Sequence, residues 1–390
     1  MRAPFDSVIV HYAEIGLKGR NRTYFERMLM SNMRRKLGKL ICSCSRESGL
    51  ISVSLGENPD FGMLRDILTS IPGIAYFSFA KKCGFSMGSI EECAFELLGS
   101  GCLKEFSSFR VRAVRRDKSN KLNSMEINCA LGDAIIRKFG KKVMLRSPDL
   151  VLKVEVSNSC VYISAEDVAG VGGFPTNTAQ RVMCLLSGGF DSPVASYLLM
   201  KRGCEAMLVH FQNKNQASSS VEDKIIRIAR QLSRYQNRTK LFIVPFEDIQ
   251  KEIILKVNSK LRMLVYRRFM LRIASRLAFK TGAKFLVVGD SISQVASQTF
   301  RNLSATYKGI DTHILSPLIG MDKKEIIDLA RQIGTYDISL LPYGDCCSFF
   351  IADSPELSAS FRIISDAEAL FDINTLVDGA LSKVKRIDIA

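Results

Sequence analysis

Residues 185–192 have the sequence Leu-Leu-Ser-Gly-Gly-Phe-Asp-Ser and decide the fold of the C-terminal half of the chain. They end an apolar run over 182–186 that predicts a short buried strand, and a helix is predicted directly after them, over about 192–201. Two adjacent glycines permit a tight turn that presents backbone N–H groups, and the start of the helix adds positive partial charge. The pattern therefore predicts a strand–loop–helix unit that binds an anion such as pyrophosphate.

Strands and helices alternate after this loop. The predicted strands cover 206–211, 241–245 and 284–289, and the predicted helices lie around 225–232 and over 248–280. A further helix runs from Asp322 to Ile333, with Asp322 as its cap, Glu325 three residues later and Gly334 as its end. This alternation predicts an α/β domain with a doubly wound parallel sheet covered on both faces.

The N-terminal half has a different, α+β pattern. Its predicted elements are a strand at 6–12, a helix at 21–37 with Asn21 as cap, strands near 39–44 and 50–55, a helix near 60–69, a strand at 109–114, a helix at 124–139 and a hairpin of strands 151–156 and 160–164. The glycines of 170–175 indicate a linker. The predicted units are an α+β domain at 1–62, a second domain at 63–167, a linker at 168–180 and the α/β domain at 181–390.

The charge of the chain favours a polyanionic partner. The net charge is +16 with a pI near 9.4, and between Arg110 and Arg146 eleven Lys and Arg residues face three acids. A clustered excess favours a phosphate-binding surface over a charge that merely keeps the protein dissolved, and nucleic acid is the commonest such partner. The candidate RNA-binding residues are Arg110, Arg112, Arg115, Arg116, Lys118, Lys138, Lys141 and Lys142.

Eleven scattered cysteines fit a reducing compartment better than a disulfide scaffold. The chain has no apolar stretch of eighteen residues and no apolar segment near its start, so we expect neither a transmembrane helix nor a secretory signal, and we predict a cytoplasmic protein. The pair Cys346-Cys347 stands out because its surroundings are polar and turn-like, whereas Cys129, Cys160 and Cys184 lie in apolar segments.

The chemistry of the loop depends on Asp191. A carboxylate repels phosphate, but it fits beside Mg²⁺, which bridges carboxylate and phosphate oxygens. The loop lacks the Gly-Lys-Ser/Thr of a Walker A motif and the G-x-G-x-x-G of a dinucleotide site. The pattern S-G-G-x-D-S resembles the pyrophosphate loop of ATP pyrophosphatases, enzymes that release AMP and pyrophosphate. The alternative is a tight turn built of small residues, and the Asp-Ser pair between strand and helix favours the nucleotide site.

Over nearly its whole length the chain resembles the tRNA 4-thiouridine synthetases (tRNA sulfurtransferases). Three blocks in family order carry the resemblance: residues 185–203, residues 289–299 with Gly-Asp-Ser and Gln-Val-Ala-Ser-Gln-Thr, and Pro-Tyr-Gly-Asp-Cys-Cys at 342–347. By this resemblance, the first unit is a ferredoxin-like domain, the second a THUMP RNA-binding domain and the third an adenylating domain.

The resemblance also implies site residues, with Asp191 and Cys346 in catalysis. The residues implied to bind ATP are Leu185, Leu186, Ser187, Gly188, Gly189, Ser192, His210, Phe211, Arg267, Gly289 and Gln298. The alternative for His210 is a histidine held by its neighbours at a strand end, and Arg267 could instead be solvated. Lys323 and Lys324 open a helix near the site, where a plain surface role is the simpler interpretation.

The implied reaction needs a leaving group and a sulfur nucleophile. The C4 oxygen of a uridine, at tRNA position eight in the family, would attack the α-phosphate of ATP, and sulfur would then displace AMP. An accessible thiol of lowered pKa is required, and the resemblance assigns it to Cys346. The role of Cys347 stays open, because adjacent cysteines form only a strained disulfide.

The chain departs from the family in three respects. Many members carry a C-terminal rhodanese domain, whereas too few residues follow Cys347 here to form one. We therefore expect sulfur from another protein, such as a cysteine desulfurase or a separate persulfide carrier, or from free sulfide. Gly344 stands where many relatives have Glu, and Ser293 stands where many have Gly. The resemblance further implies a homodimer.

Other function classes remain in competition. Another ATP pyrophosphatase acting on RNA, such as a lysidine synthetase or an amidotransferase-type ligase, would share the loop but would not need Cys346. A THUMP protein that binds RNA without catalysis is a second alternative, against which the intact loop argues. A THUMP methyltransferase would need a glycine-rich methyl-donor loop after a strand, and the sequence has none.

Overall fold

The computed structural model describes residues 5–116, 123–212, 219–342 and 355–389. The contacts divide the chain into two compact units, Met1–Pro175 (unit 1) and Thr176–Ala390 (unit 2). Each helix within the described ranges is too short or too polar to cross a lipid bilayer. The finer domain boundaries drawn from the sequence stay predictions.

One mixed sheet runs through unit 1. Its strands are β1 (Ser7–His11), β2 (Ile41–Glu47), β3 (Leu50–Leu55), β4 (Tyr76–Cys83), β5 (Ser108–Arg115), β6 (Lys142–Val143), β7 (Leu150–Val156), β8 (Val161–Ser164) and β9 (Val168–Ala169). The order across the sheet is β2-β3-β1-β4-β8-β7-β5-β6, and β9 pairs with β4 beside this path. Strand β4 pairs antiparallel with β1 on one edge and with β8 and β9 on the other, so it joins the ferredoxin-like half of the sheet to the THUMP-like half.

The helices of unit 1 cover the sheet in two groups. They are α1 (Arg22–Leu37), α2 (Phe61–Leu68), α3 (Met87–Gly99) and α4 (Ser124–Phe139), with 3-10 turns at Glu14–Asn21 and Gly38–Leu40. Side chains of α1 and α2 form one apolar core with β1, β3 and β4, whereas those of α3 and α4 form another with β5, β7 and β8. Apolar residues at helical and alternating spacing therefore bury the faces that the sequence predicts.

The start of α1 differs from the prediction. Asn21 has helical backbone angles and its side chain makes no capping hydrogen bond, because the 3-10 turn before it already leads the chain into the helix. Helix α4 is as predicted: the Asn123 side chain accepts a hydrogen bond from the Met125 N–H at 3.0 Å, and Gly140 ends the helix in the left-handed conformation.

Unit 2 contains a second sheet, of mostly parallel strands. They are β10 (Arg181–Leu185), β11 (Glu205–Gln212), β12 (Thr239–Pro245), β13 (Phe285–Val287), β14 (His313–Leu315) and β15 (Lys385–Ile389), in the order β14-β13-β10-β11-β12-β15. The chain moves from β10 to β11 on one side and later returns to place β13 on the other, which makes the carboxyl ends of β10 and β13 a topological switch point. The pairs β10–β11, β10–β13, β11–β12 and β13–β14 are parallel, which confirms the predicted doubly wound parallel sheet, and strand β15 adds an antiparallel edge next to β12.

The helices of unit 2 pack on both faces of this sheet. They are α5 (Asp191–Lys201), α6 (Ser219–Ser233), α7 (Glu247–Lys256), α8 (Ser259–Thr281), α9 (Phe300–Tyr307), α10 (Lys323–Gln332), α11 (Tyr336–Leu340), α12 (Phe361–Glu368) and α13 (Ile373–Ser382). The single helix predicted over 248–280 is two helices, because Val257 is extended and the Asn258 side chain caps α8 by accepting the Lys260 N–H at 3.0 Å. The predicted capping box of Asp322 and Glu325 is present in α10.

The segment predicted as a linker begins with residues that are fixed to unit 1. The Gly170 N–H donates to the Ala75 carbonyl at 2.9 Å, and the Gly172 N–H donates to the Ile74 carbonyl at 2.7 Å. A Cβ atom at Gly170 would collide with the Ile74 carbonyl oxygen and lie 2.9 Å from its Cγ2 atom. Only glycine lets the two backbones approach this closely.

We expect Gly170→Ala to destabilise unit 1 by about 1–3 kcal/mol, because backbone atoms must shift to admit the methyl group. The change is measured as the midpoint of urea unfolding followed by circular dichroism. Gly88→Ala is the matched control, since Gly88 lies in α3 with open space around the position of a Cβ atom. An unfolding midpoint for Gly170→Ala equal to that of the unsubstituted protein would contradict the close approach.

Candidate active site

The loop between β10 and α5 is held by its own hydroxyl groups. The Ser187 N–H donates to Ser192 Oγ at 2.8 Å, the two hydroxyl oxygens lie 3.0 Å apart, and the Gly189 N–H donates to Ser187 Oγ at 3.3 Å. The Leu186 N–H donates to the Val209 carbonyl at 2.8 Å and so continues the pairing with β11. The predicted serines therefore fix the turn that leads into the N-terminus of α5.

A second glycine brings this helix start to the switch point. Gly289 follows β13, and a Cβ atom there would lie 2.8 Å from the Ser192 nitrogen and 2.9 Å from the Asp191 carbonyl carbon. Real Cβ atoms do not approach backbone this closely, so the contact requires glycine. The first turn of α5 and its partial positive charge are thereby placed between the ends of β10 and β13.

A cavity of about 580 Å³ opens at this point. One wall is apolar and comes from α8, and the opposite end consists of the loop and the start of α5. The residues that line these two parts of the cavity include Leu185, Ser187, Asp191, Ser192, Met263, Leu264, Met270, Leu271 and Gly289. Such a cavity suits a ligand with a flat apolar part at one end and an anionic part at the other.

A buried carboxylate holds the third side of the cavity. Asp290 is 5 % exposed and forms an ion pair with Arg267 and a hydrogen bond with the Tyr307 hydroxyl, while Gln298 Nε2 donates to its Oδ1 atom at 3.1 Å. Burial, together with the Asp290 charge, raises the pKa of Tyr307, so its hydroxyl stays a proton donor. The predicted residues Arg267 and Gln298 thus meet through Asp290, for which the sequence suggested no role.

The turn that carries Gln298 has a strained backbone. Ser293 has a φ of 62°, the left-handed region that favours glycine, and its N–H donates to the Gln298 carbonyl at 3.1 Å. This geometry gives a physical reason why glycine is the expected residue at a position where this chain has serine.

Asp191 has a partner that the sequence did not single out. Lys323, the first residue of α10, places its Nζ atom 2.7 Å from Asp191 Oδ1, and Gln294 Nε2 donates to Asp191 Oδ2 at 3.3 Å. The Lys323 ammonium also lies 5.5 Å from the centroid of the Phe190 ring. A carboxylate and a cation thus lie together at the end of the cavity that suits the anionic part of a ligand. The sequence interpretation, in contrast, gave Lys323 a plain surface role.

Two of the predicted nucleotide contacts lie behind the loop. His210 is 3 % exposed, and its Nδ1–H donates to the Leu186 carbonyl at 2.9 Å. Phe211 is 5 % exposed and packs edge-on against Phe246 in the core, with ring centroids 5.5 Å apart. Neither belongs to the described lining of the cavity. His210 supports the loop and Phe211 belongs to the core, and their contact with a nucleotide stays a prediction.

The predicted Cys346 lies outside the described residues, as do Cys347 and Gly344. The described residues before and after this segment are held at the site by hydrogen bonds and side-chain packing. On the entry side, Ser339 Oγ donates to the Gly189 carbonyl at 3.2 Å, and Tyr336 stacks on Phe190 with ring centroids 5.3 Å apart.

The buried Lys224 ammonium holds the same entry segment by donating to the Ser339 and Leu341 carbonyls at 2.9 and 2.8 Å. On the exit side, Pro355 and Glu356 line the cavity, and Asn302 Nδ2 donates to the Glu356 carbonyl at 2.7 Å.

The basic residues of unit 1 fall into two groups. Arg112, Lys138 and Lys142 are exposed, and the Lys138 ammonium lies 4.1 Å from the centroid of the Phe95 ring. Lys141 is partly exposed, with its ammonium 5.1 Å from the centroid of the Phe106 ring. Arg110 and Arg112 line an open groove of about 890 Å³ between β5 and α4.

Arg116 is used inside the fold, whereas Lys118 lies outside the described residues. Arg116 Nε donates to Glu155 Oε2 at 2.7 Å, and His11 Nε2 lies 3.0 Å from the other carboxylate oxygen. Although burial of Glu155 opposes ionisation, the His11 contact and the Arg116 charge lower its pKa. The partly exposed Arg115 has interactions of its own within the fold. Arg116 is therefore the weakest of the predicted RNA contacts.

Three family models match the chain. Residues 7–78 match the ThiI ferredoxin-like domain, residues 85–166 match the THUMP domain, and residues 177–373 match the thiamine biosynthesis protein (ThiI) family. The probable tRNA sulfurtransferase of Geobacillus kaustophilus is 36% identical over 389 residues, which cover 99% of this chain and 96% of that protein. The probable tRNA sulfurtransferase of Acetivibrio thermocellus is 37% identical over 387 residues, which cover 98% of each chain.

Solved structures resemble the chain as well. A 4-thiouridine synthetase crystallised with RNA and bound ATP superposes with a TM-score of 0.90 at 34% identity, covering 99% of this chain and all of that one. The protein PH1313 of Pyrococcus horikoshii has the same fold at a TM-score of 0.66 and 24% identity, covering 84% of this chain and 99% of its own. From the loop geometry, the matched domains and the full-length identity together, the chain belongs to the tRNA sulfurtransferase (ThiI) family.

Proposed function

We propose that the protein is a tRNA sulfurtransferase that uses ATP to convert a uridine of tRNA, at position eight, to 4-thiouridine. The observation that carries the proposal is the pyrophosphate-type loop at the switch point, facing a cavity with an apolar wall. The full-length similarity to proteins of this name supports it, as does the solved relative that binds RNA and ATP.

ATP fits the two ends of the cavity. The adenine ring would lie against the apolar wall from α8, in the cavity that Met263, Leu264, Val288 and Gly289 line. The phosphates would lie at the loop, where the first turn of α5 provides positive partial charge. A volume of about 580 Å³ lies within the range of sites that bind small molecules.

The residues at the phosphate end also fit Mg²⁺. Mg²⁺ prefers oxygen ligands and is commonly held by one or two carboxylates together with substrate phosphates. Asp191 offers such a carboxylate at the cavity, and the described residues contain no cluster of three or more His, Cys, Asp or Glu that would hold a metal unaided. When bound, the ion would neutralise charge on the phosphates.

The first chemical step makes the uridine oxygen a leaving group. The C4 oxygen attacks the α-phosphorus, an O–P bond forms, and the bond from the α-phosphorus to the bridging oxygen breaks to release pyrophosphate. Lys323 and the first turn of α5 bring positive charge to the phosphate end of the cavity, where negative charge moves in this step. Asp191 holds the Lys323 ammonium at 2.7 Å, which orients it.

The second step brings in sulfur. The outer sulfur of a persulfide attacks C4, a C–S bond forms, and AMP leaves with the original oxygen. A thiol then attacks the inner sulfur and breaks the S–S bond, which leaves 4-thiouridine and a disulfide. No cysteine of the described residues lines the cavity. A cysteine that acts there would therefore come from the segment between Leu341 and Pro355, whose ends are held at the site. We propose that Cys346 in this segment carries or attacks the persulfide, delivered by a cysteine desulfurase or a separate persulfide carrier.

We propose that the exposed basic residues of unit 1 contact tRNA phosphates. Arg112, Lys138 and Lys142 are exposed and lie within the strongly basic stretch. Phosphate contacts position an RNA and make its affinity depend on salt, while the shape of the tRNA and the extruded base supply specificity. A homodimer, the assembly expected from the family resemblance, is part of the same proposal, and sedimentation velocity tests it.

Gly289→Ala should weaken ATP binding roughly 10- to 100-fold, because the methyl group pushes the first turn of α5 away and overpacking of this kind costs about 1–3 kcal/mol. Isothermal titration with ATP measures the change. Gly320→Ala is the control, since the position of its Cβ atom is open. If Gly289→Ala binds ATP as tightly as Gly320→Ala, the nucleotide is bound elsewhere and the proposed function loses its main support.

Lys323→Met should lower kcat for pyrophosphate release about 100-fold, a loss typical of removing one group that stabilises transition-state charge. The measurement is tRNA-dependent release of labelled pyrophosphate from ATP. Lys324→Met serves as control, because Lys324 is exposed one position along the same helix. Equal rates for the two variants would return Lys323 to a surface role.

Cys346→Ser should abolish 4-thiouridine formation while tRNA-dependent pyrophosphate release continues, because adenylation precedes sulfur transfer. Mass spectrometry of tRNA nucleosides and a pyrophosphate assay on the same samples measure the two steps. Cys129→Ser, which changes an exposed cysteine of unit 1, should leave both unchanged.

Two results would favour the rivals. Full thiolation by Cys346→Ser would remove this cysteine from the mechanism. A protein that binds tRNA but releases no pyrophosphate with ATP and Mg²⁺ would be a binding protein without catalysis.

A further inference from the structure

Two cysteines of unit 1 lie side by side, in the part of the chain that supplies no residue to the cavity described above. Cys83 is the last residue of β4, and Cys93 lies on the face of α3 that packs against the same apolar core. Both are free thiols, and each side chain lies close enough to the other to change its pKa. Two neighbouring thiols that pack into one core and line one cavity, on a strand and on the helix packed against it, can be joined with little movement of the backbone.

The pair is open to small molecules. Cys83 and Cys93 both line an open cavity of about 990 Å³ at the surface of unit 1. Its rim is charged, with Lys81 in an ion pair with Glu96 and with the Lys82 N–H donating to Asp6 Oδ1 at 3.0 Å. A polar, charged molecule that carries a reactive sulfur can therefore reach the two thiols.

The surroundings also divide the roles of the two thiols. The hydrogen bond from Cys83 lowers the pKa of Cys93, against the opposing effect of burial, and the positive charge of Lys81 acts in the same direction. The same hydrogen bond and burial raise the pKa of Cys83. A thiol of lowered pKa beside a lysine is the usual setting of a reactive cysteine.

Buried cysteines elsewhere in the chain contrast with this pair. Burial raises the pKa of Cys184 to about 12 and that of Cys44 to about 11, so these residues behave as inert core side chains. Metal binding is a poor account of the pair, because the described residues hold no cluster of three or more metal-ligating groups. The contact between two thiols at an open cavity favours exchange with a disulfide.

We propose that Cys83 and Cys93 form a thiol–disulfide exchange site that accepts a low-molecular-weight disulfide of the oxidised-glutathione class. The Cys93 thiolate attacks one sulfur of the small disulfide, an S–S bond forms, and the other half leaves as a thiolate that takes up a proton. Cys83 then loses its proton to water, attacks the Cys93 sulfur and expels the second half. Overall, two protein thiols are oxidised to one disulfide and the small disulfide is reduced to two thiols.

The experiment uses the full chain in glutathione buffers of graded redox ratio, quenched with acid and alkylated with N-ethylmaleimide. Cleavage after glutamate separates the three cysteines of this region, because Glu92 and Glu96 lie between Cys83, Cys93 and Cys102. Mass spectrometry should find the Cys83 and Cys93 peptides joined at roughly tenfold less oxidised glutathione than modifies Cys102, since closure within one molecule drives the second step.

Two variants sharpen the result. In Cys83→Ser, Cys93 should accumulate as a mixed disulfide with glutathione, because the thiol that displaces the second half is gone. Cys102→Ser, which removes an exposed cysteine of the same unit, should leave the Cys83–Cys93 link unchanged.

The proposal is overturned if both thiols stay alkylated under conditions that modify Cys102, or if either forms its disulfide with a different cysteine. Neither readout depends on tRNA or ATP, so the result stands apart from the proposed function.

Discussion

The site depends on one backbone contact, the approach of the first turn of α5 to Gly289. Because atoms of Asp191 and Ser192 occupy the space of a Cβ atom at that position, the helix start is held at the gap between β10 and β13. The hydroxyls of Ser187 and Ser192 then fold the loop onto that helix. Asp191 consequently contacts Lys323. The end of the cavity that suits the anionic part of a ligand is thus built around Gly289, where no side chain fits.

A buried charge stiffens the other side of the cavity. Asp290 binds Arg267, Gln298 and Tyr307 at once, which ties the turn after β13 to α8 and α9. Removing one partner of a buried, hydrogen-bonded pair costs about 3–5 kcal/mol because the other charge is stranded. The wall is therefore set by a network and not by single contacts.

The sequence was sufficient for the loop and for many of the elements, because periodicity, capping residues and glycine pairs act over a few neighbouring residues, whereas β4, α3 and β15 were not predicted. The capping box of Asp322 was recognised in this way. Contacts between residues far apart in the chain could not be predicted from the sequence. Lys323 and Lys324 look alike in the sequence, and only packing of α10 selects Lys323 for Asp191. Likewise, β15 has weak apolar alternation and becomes a strand because β12 offers it an open edge.

Strand β4 makes the two halves of the N-terminal sheet depend on each other for their stability. Since one strand completes the hydrogen-bond ladders of both halves, neither half can melt while the other keeps all of its backbone pairs. The ferredoxin-like and THUMP-like segments are thus thermodynamically one cooperative block, although sequence similarity divides them. A fragment that ended before β4 would leave the N–H and C=O groups along one edge of β1 unpaired, and these groups could pair with a strand of another molecule.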